Sequence, residues 1–196
     1  MALILDIHPI NPQIRLISIV TEVIKKGGVI AYPTEGVWGL GCDPMLEAAV
    51  NKLVALKHRA VKKGLILIGS DADQFAPFTA SLDHSQISLF KTKRERPTTW
   101  LVPDNGAAPR WIVGEHTTIA LRITQHPLCS RLCDLFGGPI VSTSANTQNC
   151  PAAETREDVE SYFLNKLSFV ISGAVDSAGS VSEIIDIVTG EVIRNG

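Results

Sequence analysis

Aromatic residues make up only 6% of the 196 residues, so a folded core has to be built mainly from Ile, Leu and Val. No C-x-x-C pair is present. The cysteines are Cys42, Cys129, Cys133 and Cys150, and a lone C-x3-C without matching histidines is a poor zinc signature. Free thiols in a reducing compartment are expected. His8, His84, His116 and His126 show neither i,i+4 pairing nor an H-E-x-x-H pattern, so no metal site of the chain's own is expected. Charge of one sign is lacking too: 18 Lys and Arg against 20 Asp and Glu give a net charge of −2, which argues against a polyanion as the dominant partner. No apolar run approaches the roughly 18 residues that a spanning helix needs. The start, Met1 to Pro9, has neither the basic n-region nor the long h-region of a signal peptide. These absences predict a soluble, cytoplasmic protein with no membrane partner.

What is present alternates. Leu3 to Ile7 reads as a strand, and Asn11-Pro12 as a helix start before Ile14, Ile17, Val20, Val23 and Ile24 at helical spacing. Gly27-Gly28 ends that helix and Val29 to Tyr32 is a buried strand stopped by Pro33. Met45 to His58 reads as a helix and Leu65 to Ile68 as a strand, while 71–97 has no clear period. Thr98 to Val102, Thr117 to Ile123 and Pro139 to Ser142 read as strands, and Pro127 to Phe136 as a helix closed by Gly137-Gly138. Thr155 with Asp158 makes a capping box for a helix reaching about Phe163, and the tail around Thr189-Gly190 reads as a hairpin. This alternation, with no repeat or linker, predicts one α/β domain over residues 1–196 with a mixed sheet.

Three segments can carry chemistry. Tyr32-Pro33-Thr34-Glu35-Gly36 follows a buried strand, where α/β sheets usually place ligands; the alternative is a tight turn with Thr34 and Glu35 solvated. Lys57-His58-Arg59-Ala60-Val61-Lys62-Lys63-Gly64 ends a helix. Lys57 and Arg59 are two apart, so both face one cleft only if the helix unwinds between them; a basic loop there would suit a triphosphate, and a solvated cationic helix end is the alternative. Ser142-Thr143-Ser144-Ala145-Asn146 puts three hydroxyls and an amide at a strand exit, where hydroxyls and backbone N–H groups can meet phosphate oxygens. The Gly-x-Ser-x-Gly setting of a serine nucleophile is absent. So are Walker A and G-x-G-x-x-G sequences, so a nucleotide would be held by another device.

In order along the chain, Tyr-Pro-Thr-Glu at 32–35, Lys-x-Arg at 57–59, Ala-Leu-Arg at 120–122, Ser-Thr-Ser-Ala-Asn at 142–146 and the closing Arg194-Asn195-Gly196 resemble the YrdC/TsaC family of threonylcarbamoyl-AMP synthases. The likeness runs from about Gly27 to Gly196. It implies a YrdC-like fold: a twisted mixed sheet flanked by helices, with a concave, positively charged cleft. It also implies a nucleotidyltransferase of tRNA modification, which condenses L-threonine, bicarbonate and ATP into L-threonylcarbamoyl-AMP and releases pyrophosphate. Mg2+ would come with the ATP, and a separate transferase complex would carry the product to tRNA, with at most weak tRNA contact here.

By position, the resemblance assigns Lys57, Arg59, Thr99, Ser144 and Arg194 to ATP, and Thr34, Arg122, Thr143 and Ser182 to threonine. Lys57, Arg59, Ser144 and Asn146 are the implied catalytic set, with Asn146 either ordering its loop or touching phosphate. Where the family usually has Trp-Pro-Gly before Pro97, this chain has Arg94-Glu95-Arg96, and Gln148-Asn149 replaces a Ser-Gly. The alternatives are an RNA-binding or ribosome-maturation protein using a basic face of residues 57–96, which hold eight of the 18 Lys and Arg, and the related carbamoyl-adenylate chemistry of hydrogenase maturation.

Overall fold

The computed structural model describes residues 3–6, 14–176 and 181–196. The elements are β1 (Leu3–Asp6), α1 (Ile14–Lys25), β2 (Ile30–Pro33), β3 (Trp38–Gly41), α2 (Glu47–Leu56), β4 (Ile66–Gly69), α3 (Ala76–Thr79), α4 (His84–Lys91), β5 (Thr98–Pro103), α5 (Arg110–Val113), β6 (Thr118–Ile123), α6 (Pro127–Phe136), β7 (Ile140–Ser144), α7 (Arg156–Phe163), β8 (Phe169–Ser172), β9 (Glu183–Asp186) and β10 (Val192–Arg194). Two 3-10 turns, Val61–Lys63 and Asp73–Phe75, complete them.

Apolar periodicity makes the helices where the sequence predicts them. In α1, Ile17, Val20 and Ile24 repeat at three and four residues and are fully buried. The expected helix from Pro127 to Phe136 forms over those residues and stops at Gly137, whose φ of +89° suits glycine. The capping box before α7 is in place: Thr155 Oγ1 accepts from Asp158 N at 3.1 Å, and Asp158 Oδ2 accepts from Thr155 N at 3.0 Å. Ile7 and the Asn11-Pro12 helix start lie outside the described residues.

The structure departs from expectation in identifiable places. Helix α2 is shorter than Met45 to His58: Asp43 Oδ1 accepts from Met45 N at 2.8 Å in a turn before it, and His58 has φ +51° after it. Residues 71–97 hold α3 and α4, the latter capped by a reciprocal Asp83–Gln86 box. Strands β3 and β8 are absent from the sequence reading. The Trp-Gly-Leu-Gly of β3 has weak strand propensity. Its glycine is nevertheless needed at Gly41, where a Cβ would sit 2.7 Å from Val141 O and 2.8 Å from the Tyr32 ring.

The strands form a ten-stranded mixed sheet ordered β1-β8-β2-β3-β7-β4-β6-β5-β9-β10. Pairs β1/β8, β2/β8, β4/β6 and β5/β9 are parallel; β2/β3, β3/β7, β4/β7, β5/β6 and β9/β10 are antiparallel. Helix α6 packs on β2 and β4 with α1 against it, burying Ile17, Val20, Ile24, Leu128, Leu132, Ile68 and Ile140 together. A larger core joins α2, Phe75, Phe78, Phe90, Trp100 and Leu121. No described helix is long and apolar enough to cross a membrane.

A basic cleft as the candidate active site

Register alone places a row of residues on one face of the sheet. Ile66 stands opposite both Ala120 and Ser142, and Leu101 opposite Ala120. Side chains alternate along a strand, so Ile66, Ala120, Arg122, Ser142 and Leu101 look the same way. They line a cavity of about 320 Å³, together with Thr34, Arg59, Lys63, His116, Thr118, Thr143, Ser144, Ser182, Ile184 and Arg194. Four Lys and Arg side chains line it and no carboxylate does.

The Lys57-His58-Arg59 segment unwinds as the spacing requires, but the two cations part company. Lys57 caps α2, His58 turns the chain with φ +51°, and Arg59 emerges into the cleft. Such a conformation costs a non-glycine residue roughly 1 kcal/mol, so the rest of the loop has to hold it. Lys57 is 3% exposed and does not line the cleft. Its ammonium donates to the Ser144 carbonyl, to Asn146 O at 2.9 Å and to Asn146 Oδ1 at 3.0 Å. Burial, then the nearby Arg59 charge, lowers its pKa to about 8. Arg59 Nη2 donates to Gly64 O at 3.0 Å, while its buried Nε meets no protein acceptor. The loop then closes at Gly64, which has φ +62° and packs against α5 so tightly that a Cβ there would lie 2.9 Å from Val113 O.

The serine-rich run leaves β7 as a braced loop. Ser144 Oγ donates to Asn146 Oδ1 at 2.7 Å, and Asn146 Nδ2 to Cys150 O at 2.6 Å. Asn146 orders this loop. The Thr143 hydroxyl bonds no other described residue and lines the cleft, as does Ser144.

Glu35 is not solvated. It is 6% exposed, accepts from Thr124 Oγ1 at 2.6 Å and Gln125 N at 2.9 Å, and pairs with Arg122 at 3.5 Å. Burial by itself would raise its pKa, but Arg122 and these donors outweigh burial and bring it to about 2. Arg122 is therefore held from behind by a permanent anion while its guanidinium meets the cleft, its buried Nε without a protein acceptor. Thr34 also lines the cleft; its hydroxyl donates to Val37 O at 2.7 Å and keeps its acceptor capacity.

Ser182 joins residues that the resemblance divided between ATP and threonine. Its hydroxyl bonds Thr99 Oγ1 at 2.8 Å, and Arg194 Nη2 donates to its carbonyl at 2.6 Å and its hydroxyl at 3.2 Å. Thr99 is fully buried and reaches the cleft only through Ser182. Thus Thr34, Arg59, Arg122, Thr143, Ser144, Ser182 and Arg194 line one cavity, while Lys57, Thr99 and Asn146 stand behind it. Lys63, part of the basic loop that the sequence offered as a triphosphate site, and His116, which it gave no role, also line the cavity; a single histidine without a spaced partner carries no signal.

The cations of 57–96 do not form one face. Arg59 and Lys63 line the cleft, whereas Lys91, Lys93, Arg94 and Arg96 line a second cavity with Thr98 and Trp100, which alternate with the cleft-facing Pro97 and Leu101. The four cysteines are free thiols, with only Cys150 exposed.

The fold and cleft define an α/β protein with a mixed sheet and a basic, hydroxyl-lined pocket suited to anionic small molecules. A family model described as Sua5/YciO/YrdC, telomere recombination, matches residues 22–196, and the chain belongs to this family. It is 46% identical to the threonylcarbamoyl-AMP synthase of Cellvibrio japonicus over 94% of this chain and 96% of that one. It is 50% identical to that of Stutzerimonas stutzeri over 89% and 94%. Among solved structures, P. abyssi Sua5 complexed with L-threonine superposes with a TM-score of 0.87 at 28% identity, covering 94% of this chain and 54% of that longer one. E. coli YciO shares the fold, with a TM-score of 0.85 at 24% identity over 100% and 98% of the two chains.

Proposed function

We propose that this protein is a cytoplasmic nucleotidyltransferase that makes L-threonylcarbamoyl-AMP from L-threonine, bicarbonate and ATP, releasing pyrophosphate, for modification of tRNA next to the anticodon. The observation that carries the reading is the single cleft lined by two kinds of cation. Arg122 is backed by Glu35 beside Thr34 and Thr143, and Arg59, Lys63 and Arg194 line the same cavity. The names of the bacterial relatives and the threonine complex of P. abyssi Sua5 support it.

Arg122 meets the threonine carboxylate, and its unpartnered Nε adds a second donor. Thr34 and Thr143 orient the amino acid. The threonine amine and bicarbonate form a carbamate with loss of water. A carbamate oxygen attacks the α-phosphate in line, a P–O bond forms, and the bond to the β-phosphate breaks to release pyrophosphate. Arg59, Lys63, Arg194 and the Ser144 hydroxyl neutralise and position the phosphates, so rate comes from orientation and fixed charge rather than from a nucleophilic side chain.

Lys57 acts by holding the Ser144–Asn146 loop at its working geometry. Among the described residues no three His, Cys, Asp or Glu side chains are grouped to hold a metal, a donor set that suits Mg2+ carried on phosphate oxygens and water with the nucleotide. The product passes to a separate transferase complex.

The purified protein is expected to release pyrophosphate from ATP and Mg2+ only when threonine and bicarbonate are both supplied. Release that continues at the same rate without threonine would overturn the reading.

A further inference from the structure

Opposite the cleft, the same strands wall a second cavity. Odd residues of β5 (Thr99, Leu101) face the cleft side, whereas Thr98 and Trp100 look into a separate basin of about 280 Å³. Phe90, Trp100 and Ile123 give it an apolar floor, Ser70 and Gln125 add polar groups, and Lys91, Lys93, Arg94 and Arg96 line it without any carboxylate.

The wall is built rather than loose. The Arg94 guanidinium lies 5.6 Å from the centre of the Trp100 ring, its Nε pairs with Glu183 at 3.2 Å, and its carbonyl accepts from Gln125 Nε2 at 2.8 Å. Glu183 is itself fixed by Thr98 Oγ1 at 2.5 Å. Arg94 is thereby neutralised and serves as a strut, and Lys91 has Asp73 at 3.7 Å. Lys93 and Arg96 have no carboxylate partner among the described residues. Two uncompensated cations therefore flank a concave floor in a chain whose net charge is −2.

We propose that this basin is a second anion site, for a phosphate group of a ligand other than the nucleotide in the cleft. Lys93 and Arg96 are its binding cations and Arg94 the strut that keeps the loop open. Phosphate is favoured over a carboxylate because its tetrahedrally arranged non-bridging oxygens can meet the Arg fork and a Lys point charge at once. The group can belong to a free phosphate compound or to an RNA phosphodiester, and the site's cation chemistry is common to both. The proposal does not depend on what the cleft synthesises.

The test is amide chemical-shift mapping of the full chain, titrated separately with inorganic phosphate, pyrophosphate and a short RNA hairpin, beside a Lys93→Glu/Arg96→Glu double variant. Neither residue belongs to the cleft, so threonine-dependent pyrophosphate release should persist in the variant. Saturable shifts at Ser70, residues 91–96 and Gln125, weakened at least about tenfold in the variant, are expected. Shifts with the small phosphates identify a free ligand, and shifts with the hairpin alone identify a phosphodiester backbone. No shift at these amides with any probe, or shifts of undiminished affinity in the variant, would overturn the proposal.

Discussion

The cleft and the second basin each present four Lys and Arg side chains and no carboxylate, on opposite faces of β5 and β6, yet they hold that charge differently. In the cleft, Arg122 is 8% exposed and backed by Glu35, Arg59 is tied to Gly64 O, and Arg194 to Ser182. In the basin, Lys91, Lys93 and Arg96 are exposed; Arg94 is tied down by Glu183, and Lys91 has only a long, solvent-exposed pair with Asp73. Of the cleft cations only Arg122 is buried; Arg59 is half-buried, and Lys63 and Arg194 are exposed. Cations held in place by fixed partners need not reorganise as charge develops, which is what stabilising charge on a reacting phosphate requires. Exposed cations without such partners are screened by salt and reorient, which suits capture rather than chemistry.

The largest effect should come from breaking the buried side of this contrast. Arg122→Ala removes the countercharge of buried Glu35, which keeps only hydrogen-bond donors such as Thr124 and Gln125, and loss of one partner of a buried ion pair costs about 3–5 kcal/mol. Thermal unfolding of this variant should shift accordingly, together with loss of threonine-dependent turnover; an unchanged melting temperature would show the pair to be solvated. Next, Arg59→Ala should weaken nucleotide binding by about 1.5–3 kcal/mol, the usual loss for a charge-assisted contact, read by titration calorimetry.

The third prediction concerns pH. With its pKa lowered from 10.5 to about 8, Lys57 is charged below that pH and becomes neutral above it. A neutral amine has two N–H donors for the three oxygens that now accept from it, so the Ser144–Asn146 loop loosens and activity falls as pH rises through about 8. A pH–rate profile checks this, and Lys57→Arg, which keeps its charge, should remove that descending limb even if its overall rate is lower. The smallest effect belongs to the basin: Lys93→Ala should leave unfolding within about 0.5 kcal/mol of wild type, as surface substitutions do.

How far the sequence could be read depended on where each signal resides. Helix α6 was legible from end to end because its apolar spacing, its Pro127 start and its Gly137 stop are all local. Strand β3 was not, because Gly39 and Gly41 suppress local strand propensity and only close packing against Tyr32 and Val141 accounts for Gly41; β8 does carry a local strand signal in Phe169-Val170-Ile171, which the sequence reading passed over. Arg59 and Thr143 carried a readable site signal in the composition of their own segments. Glu35 did not, since its partners Arg122 and Thr124 are some ninety residues away and meet it only across the folded sheet.

By itself the sequence determined the alternating α/β architecture, the hydroxyl-rich strand exit and the unwinding needed between Lys57 and Arg59, since each follows from spacing along the chain. Tertiary structure alone decided which way those residues look. It turned Lys57 inward to brace a loop and Arg59 outward to the cleft, and it split one basic stretch into two cavities. The reason is physical. The side to which a strand residue points is fixed by register with its neighbours, and register is set by pairing between distant segments that no local pattern encodes.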